Sequence, residues 1–156
     1  MSSLLRLRAH PDAARLAARI AGHRPAGANV AGVRRAAVAL IFRLNPETAE
    51  PELFFIQRAH YESDPWSGHI AFPGGREEPG DVSLTDTVIR EIREETAIDL
   101  VRDGEILGAL DDLRPMTVRL PAVIVRPFIA LLGDHSDPVL SHEVAASFWV
   151  RLAVLR

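Results

Sequence analysis

FPGGREEPGDVSLTDTVIREIREETAI, Phe72 to Ile98, is the stretch that decides how this 156-residue chain is read. Its second half predicts a helix over Ser83 to Thr96. Ser83 is a good N-cap, and Asp86 three residues later completes a capping box. Val88, Ile89 and Ile92 form the apolar face of that helix. Glu91, Glu94 and Glu95 stand at i, i+3 and i+4, so they share another face. Three carboxylates on one face repel each other. Arg90 and Arg93 relieve part of this, Arg90 with Glu94 at i+4. A hard divalent cation relieves more, because Mg²⁺ and Mn²⁺ prefer carboxylate oxygens. The first half of the stretch is rich in Pro and Gly and is expected to be irregular from Pro73 to Asp81. Within it, Gly74 and Gly75 let backbone approach a ligand closely.

Upstream, Pro11 to Ala21 reads as a short helix stopped by Gly22, with Pro11 at its first position. Met1 to Arg8 mixes Leu with Arg, and Arg24 to Gly32 reads as a linker. Ala36 to Phe42 is a continuous apolar run, the pattern of a strand covered on both faces. Leu53 to Arg58 and His69 to Phe72 predict further strands, with a loop between them. Downstream, Gly104 to Leu110 and Ala122 to Leu132 read as strands. Ser141 to Ala146 reads as one helical turn, and Phe148 to Val150 as the start of a last strand. Helices and strands are mixed without regular alternation, which predicts an α+β sandwich with a mixed sheet. The expected division is an N-terminal helix and linker over 1–32 and a main body over 33–156, together one globular unit.

Composition narrows the chemistry. The chain is 47% hydrophobic and 25% charged, and at 156 residues it is long enough to bury roughly two-thirds of its unfolded surface. It has no cysteine, which excludes disulfides, thiolate metal sites and a cysteine nucleophile. A net charge of −3 argues against a general nucleic-acid binder. All 18 basic residues are arginine, so any cation that binds phosphate here is Arg or His. The run Ala36 to Phe42 is about a third of a membrane span. With no leader pattern at the N-terminus, a cytoplasmic protein without membrane contact is expected.

Arg90-Glu91-Ile92-Arg93-Glu94-Glu95-Thr96-Ala97-Ile98 resembles the Nudix box, R-E-U-x-E-E-x-G-U, with Gly75 and Asp81 in the places of its preceding Gly and acid. Three departures stand out: Asp81 replaces Glu, eight residues rather than seven separate it from Arg90, and Ala97 replaces the box glycine. The first two are similar to the coenzyme A pyrophosphatase-like subgroup, whose F-P-G-G run is matched by Phe72 to Gly75. Arg58-Ala59 and Gly68 resemble that subgroup's upstream signature, with one extra residue between them and no second Arg near Ser63. Without the glycine, Ala97 is expected to loosen the loop after the helix.

The resemblance implies a Nudix-type α/β/α sandwich with a mixed β-sheet, and a metal-dependent hydrolase that attacks a pyrophosphate with water. It places Mg²⁺ or Mn²⁺ on Glu91, Glu94, Glu95 and the Gly74 carbonyl. Arg90 orients the glutamates, and Asp81 braces the loop. A general base comes from a box glutamate or from a later loop, where Glu143 is the candidate. Arg58, Arg76 and Gly75 are the candidate substrate contacts. Arg126, Trp66, His69 and the pair Asp111-Asp112 carry weaker claims to phosphate, base or metal. The substrate implied is a nucleoside diphosphate joined to another group, best coenzyme A or a derivative, with ADP-ribose or a dinucleotide next. A nucleotide-sensing domain without catalysis is the reading of another class, and it fits poorly with three intact box glutamates. A homodimer is left open.

Overall fold

The structure, a computed structural model, describes residues 1–28, 30–114 and 122–156. Two helices come first, α1 (Ser3–Ala9) and α2 (Pro11–Ala21). They meet at His10, whose amide caps α1 on Arg6 and Leu7 and whose ring accepts from the Asp12 amide at the start of α2. Residues before proline are pushed out of the helical region, so Pro11 forces the break between them. Helix α1 went unforeseen because three leucines in seven residues make too short a pattern to read.

Strands β1 (Arg34–Leu44), β2 (Pro51–Arg58), β3 (Ile70–Ala71) and β4 (Gly74–Arg76) precede α3 (Leu84–Thr96). Then follow α4 (Leu100–Asp103), β5 (Gly104–Ala109), β6 (Val123–Leu132), β7 (Val144–Arg151) and α5 (Leu152–Leu155). The sheet runs β3-β2-β1-β6-β5, with β7 on β2 and β4 on β1. β1 and β6 are parallel from Arg34 to Phe42, and all other pairings are antiparallel. The far edge of β1 is therefore divided: Ala36 to Val38 pair with β4, and Phe42 to Leu44 pair with β2.

One face of the sheet, with Ala37, Ala39 and Ile41 of β1 and Phe128, Ala130 and Leu132 of β6, packs on Val88 and Ile92 of α3. Side chains alternate along a strand. Phe42 and Leu131 thus face the other way, onto Leu7 and Ala13 of α1 and α2. The result is the expected sandwich of helix, mixed sheet and helix. Among the described residues no helix is long and apolar enough to cross a membrane.

Two expected elements are corrected. The glycine stretch within Pro73 to Asp81 is not all irregular, because Gly74 to Arg76 form β4 on the open edge of β1. Ser141 to Ala146 is not a helical turn throughout: only a tight turn occupies His142 and Glu143, and β7 begins at Val144 to pair with Arg58.

Ala97 does not loosen the end of α3. It caps the helix in the left-handed region, φ 61° and ψ 10°, with its amide on the Arg93 carbonyl. Ile98 behind it is buried. A left-handed alanine costs roughly 1 kcal/mol that glycine avoids. Ala97→Gly should therefore raise the Tm by about 2–4 °C, with turnover unchanged. A lower Tm in thermal melts would show that alanine is not strained there.

Candidate active site

Helix α3 starts where Ser83 Oγ accepts from the Asp86 amide, and this phase fixes where its carboxylates point. They are not equivalent. Glu95 is only 4% exposed. Its Oε1 accepts from the Gly74 amide at 2.8 Å, joining the helix to β4. Glu91 lies flat against Gly75, where a Cβ would stand 2.4 Å from its carboxyl carbon. Gly75 is thus a cradle that only glycine leaves open. The Glu94 side chain is 58% exposed and leans on Arg90 at 3.3 Å.

Arg90 is the hub of the site. Its Nε and Nη2 each donate to Asp81 at 2.9 Å, and Nη1 donates to Glu91 at 3.0 Å. Nη2 also donates to the Arg76 carbonyl at 3.1 Å. Asp81 in turn accepts from the Thr87 hydroxyl and the Glu78 amide. The Arg90 guanidinium, with these donors, holds the Asp81 carboxyl far below the usual carboxylate range. A depressed acid stabilises the fold above its ordinary pKa, and that stability is lost as pH falls through the folded value. Asp81→Asn should therefore flatten the acid limb of stability below about pH 4. Urea melts from pH 2 to 7 test this, and an acid limb parallel to that of the unaltered protein would refute it.

Burial, opposed by Arg90, raises the pKa of Glu91. Burial pushes Glu95 up to about 8 despite the Gly74 amide. The turn before β7 docks at the end of the same helix, where the Ser141 amide donates to the Glu95 carbonyl at 2.9 Å. A buried acid and a partly buried one that resist ionisation form a place where a cation is favoured. Among the described residues no three His, Asp or Glu side chains close into a cage by themselves. The donor set is nonetheless what a hard divalent ion takes: carboxylates at 91, 94 and 95, beside the backbone of Gly74.

Other candidates are engaged elsewhere. Arg58 donates twice to Asp64, at 2.7 and 3.2 Å. Arg126 forms a fork on Asp112, which also accepts from the Ala28 amide. Asp111 accepts from the Ala26 amide and meets His23. The acid pair after β5 therefore pins the linker that follows α2. Arg76 is exposed, and among the described residues its guanidinium has no carboxylate within ion-pair distance. Asp64, Thr87 and Tyr61 went unforeseen, since their partners are distant on other elements or follow from loop closure.

A NUDIX domain family model matches residues 33–156. The chain is a member of the NUDIX family. An uncharacterised Schizosaccharomyces pombe protein, C14C4.10c, is 36% identical over 115 residues, 70% of this chain and 35% of that protein. The uncharacterised Nudix hydrolase NudL of Yersinia pestis is 43% identical over 83 residues, 53% of this chain and 38% of that protein. The match thus spans little more than a third of either relative. Among solved structures, a Caenorhabditis elegans Ap4A hydrolase in a binary complex superposes with a TM-score of 0.64 at 26% identity, covering 79% of this chain and 83% of that one. The NUDIX domain of Shewanella oneidensis NrtR, complexed with ADP ribose, gives 0.61 at 21% identity, covering 89% and 84%. The second likeness concerns the NUDIX fold alone.

Proposed function

We propose that this NUDIX domain is a divalent-metal-dependent pyrophosphohydrolase. Its substrate in this reading is a nucleoside diphosphate joined to a second group, coenzyme A or a derivative first. The observation that carries the reading is the packing of a buried carboxylate, Glu95, and a partly buried one, Glu91, against Gly74 and Gly75. Glu91, Glu94 and Glu95, with the Gly74 carbonyl, would hold Mg²⁺ or Mn²⁺. When bound, such an ion neutralises phosphate charge and lowers the pKa of its water.

The protein supplies the positions. Arg90 keeps Glu91 and Glu94 on one side of the helix while Asp81 fixes Arg90. Glu143, on the turn tied to the end of α3, takes the proton from the attacking water at its carboxylate in this reading. The water oxygen bonds to one phosphorus, and the bridging oxygen leaves with the other phosphate. The bare backbone at Gly75 leaves the space in which the Glu91 carboxylate lies, where a side chain would displace it.

The substrate choice rests on the F-P-G-G run, the displaced acid Asp81 and the absence of lysine. Coenzyme A carries a 3′-phosphate, and Arg76 is exposed beside the glycines. Arg58 is committed to Asp64, so Arg76 bears the phosphate role in this reading. The likeness to an Ap4A hydrolase favours a second reading, a dinucleotide substrate, with ADP-ribose beside it.

A panel of pyrophosphates with Mg²⁺ and Mn²⁺, products identified by mass, decides between them. Coenzyme A should be cut about tenfold more efficiently than its dephospho form, the worth of one partly exposed charge-assisted contact. Arg76→Ala should erase that difference. Equal efficiency on both compounds in the unaltered protein removes the 3′-phosphate argument. Faster turnover of ADP-ribose transfers the site to the second reading.

A further inference from the structure

The β2–β7 ladder slips at its last step: Gln57 faces Ala146, but Arg58 faces Val144. A bulge of this kind re-aims the side chain that follows it. Arg58 is turned onto Asp64 Oδ2, which receives both its Nε and its Nη2. The other oxygen of Asp64 accepts from the Trp66 amide at 3.0 Å. Backbone bonds from Arg58 to His69 and from Gly68 to Arg58 close the chain behind them. Ser67 Oγ accepts from the Tyr61 amide at 2.8 Å. Residues 59–68 are thus a tied loop built around one carboxylate.

That loop reaches the turn that carries Glu143 at two points. The Ala59 amide donates to the Glu143 carbonyl at 2.9 Å. The Tyr61 hydroxyl donates to the His142 carbonyl at 3.2 Å. From the opposite side, Ser141 and Val139 donate their amides to the Glu95 and Thr96 carbonyls, both at 2.9 Å. The Glu143 turn is therefore gripped between the end of α3 and the 59–68 loop. One jaw belongs to the helix of the box, and the other is set by Arg58 and Asp64.

We propose that Arg58, Asp64 and Tyr61 are positioning residues that hold Glu143 against the Glu91–Glu95 pair. The proposal rests on the reading of Glu143 as the proton acceptor. It gives Arg58 a role different from a substrate contact, and the two differ in their kinetics. A lost substrate contact raises KM, whereas a misplaced base lowers kcat and leaves KM nearly alone.

The test uses Asp64→Asn, Tyr61→Phe, Glu143→Gln and the double variant Asp64→Asn/Glu143→Gln. Tyr61→Phe removes one hydroxyl and keeps the ring, so it guards against a loss of fold in the others. Turnover is measured on the best pyrophosphate of the panel, and exchange of the Ala59 amide is followed by NMR. Asp64→Asn should lower kcat about tenfold, less than the roughly hundredfold that a full 1 Å misplacement can cost. KM should stay within about twofold, and Ala59 exchange should quicken. Tyr61→Phe should shift both in the same direction by less. In the Glu143→Gln background, Asp64→Asn should cost nothing further.

Multiplicative losses in the double variant, a KM effect without a kcat effect, or unchanged Ala59 exchange would each overturn the proposal. Full kcat in Glu143→Gln would overturn it as well, while the metal reading stands or falls separately on Glu95. If no pyrophosphate is turned over at all, the functional reading fails by itself. Exchange at Ala59 then still decides whether Asp64 sets the grip.

Discussion

Glu95→Gln is expected to lower hydrolysis by about a hundredfold or more and to weaken Mn²⁺ binding, with the fold intact. The expected loss is several kcal/mol of transition-state stabilisation, the scale of removing one carboxylate from a metal site. The fold should survive because glutamine keeps the volume of glutamate and its amide oxygen still accepts from the Gly74 amide. Burial already pushes the Glu95 carboxyl up to about 8, so an uncharged group at this place costs the metal-free protein little near neutral pH. The Tm without metal should stay where it is, and the rise in Tm on adding Mn²⁺ should vanish. Wild-type turnover together with wild-type Mn²⁺ affinity would remove Glu95 from the site.

Gly74→Ala and Gly75→Ala, one residue apart, should fail in different ways. A Cβ on Gly74 would stand 2.1 Å from the Ala37 carbonyl oxygen and 2.6 Å from the Val38 Cα, and the glycine has φ +150°. Backbone atoms of a paired strand cannot step aside, so β4 must come off β1. A loss of about 3 kcal/mol or more follows, a fall of roughly 6–12 °C in Tm. A Cβ on Gly75 meets only the Glu91 carboxyl, the far end of a flexible side chain. Gly75→Ala should therefore keep its Tm and lose activity, because the carboxyl swings off the glycines. Calorimetry and turnover on the two proteins separate these outcomes. A Gly74→Ala protein as stable as the original would show that the contact with β1 is not needed.

Some of this was legible locally. Helix α3 lies where Ser83 and the Val88–Ile92 stripe place it, and α2 spans Pro11 to Ala21 as read. Helical bonds join residues four apart, so the start, the stripe and the stop are all written within one segment. The shared face of the box glutamates follows from the same periodicity, and so does their nearness to Arg90. The apolar run of β1 was readable too, since a strand covered on both faces needs little polar alternation.

The three glutamates look alike in the sequence, and only the tertiary structure ranks them. Glu95 is sealed beneath Gly74, Glu91 lies against Gly75 and Glu94 stays in water, because the sheet covers just one side of the helix. β4 exists only because β1 is left with a free edge, which a Pro- and Gly-rich stretch does not reveal. The partners of Arg58 and Arg126 were hidden for a related reason. An ion pair depends on where the chain brings a carboxylate, and the loop closure at Asp64 and the docking of Asp112 are made by strands far away in sequence. The sequence by itself determined what could form from neighbours along the chain: helices α2 and α3, the Ser83 cap, the acidic face and the family they point to. The tertiary structure decided what depends on burial and on distant partners, namely which carboxylate is sealed from water, which arginines are paired with distant acids and which turn docks at the end of the acidic helix.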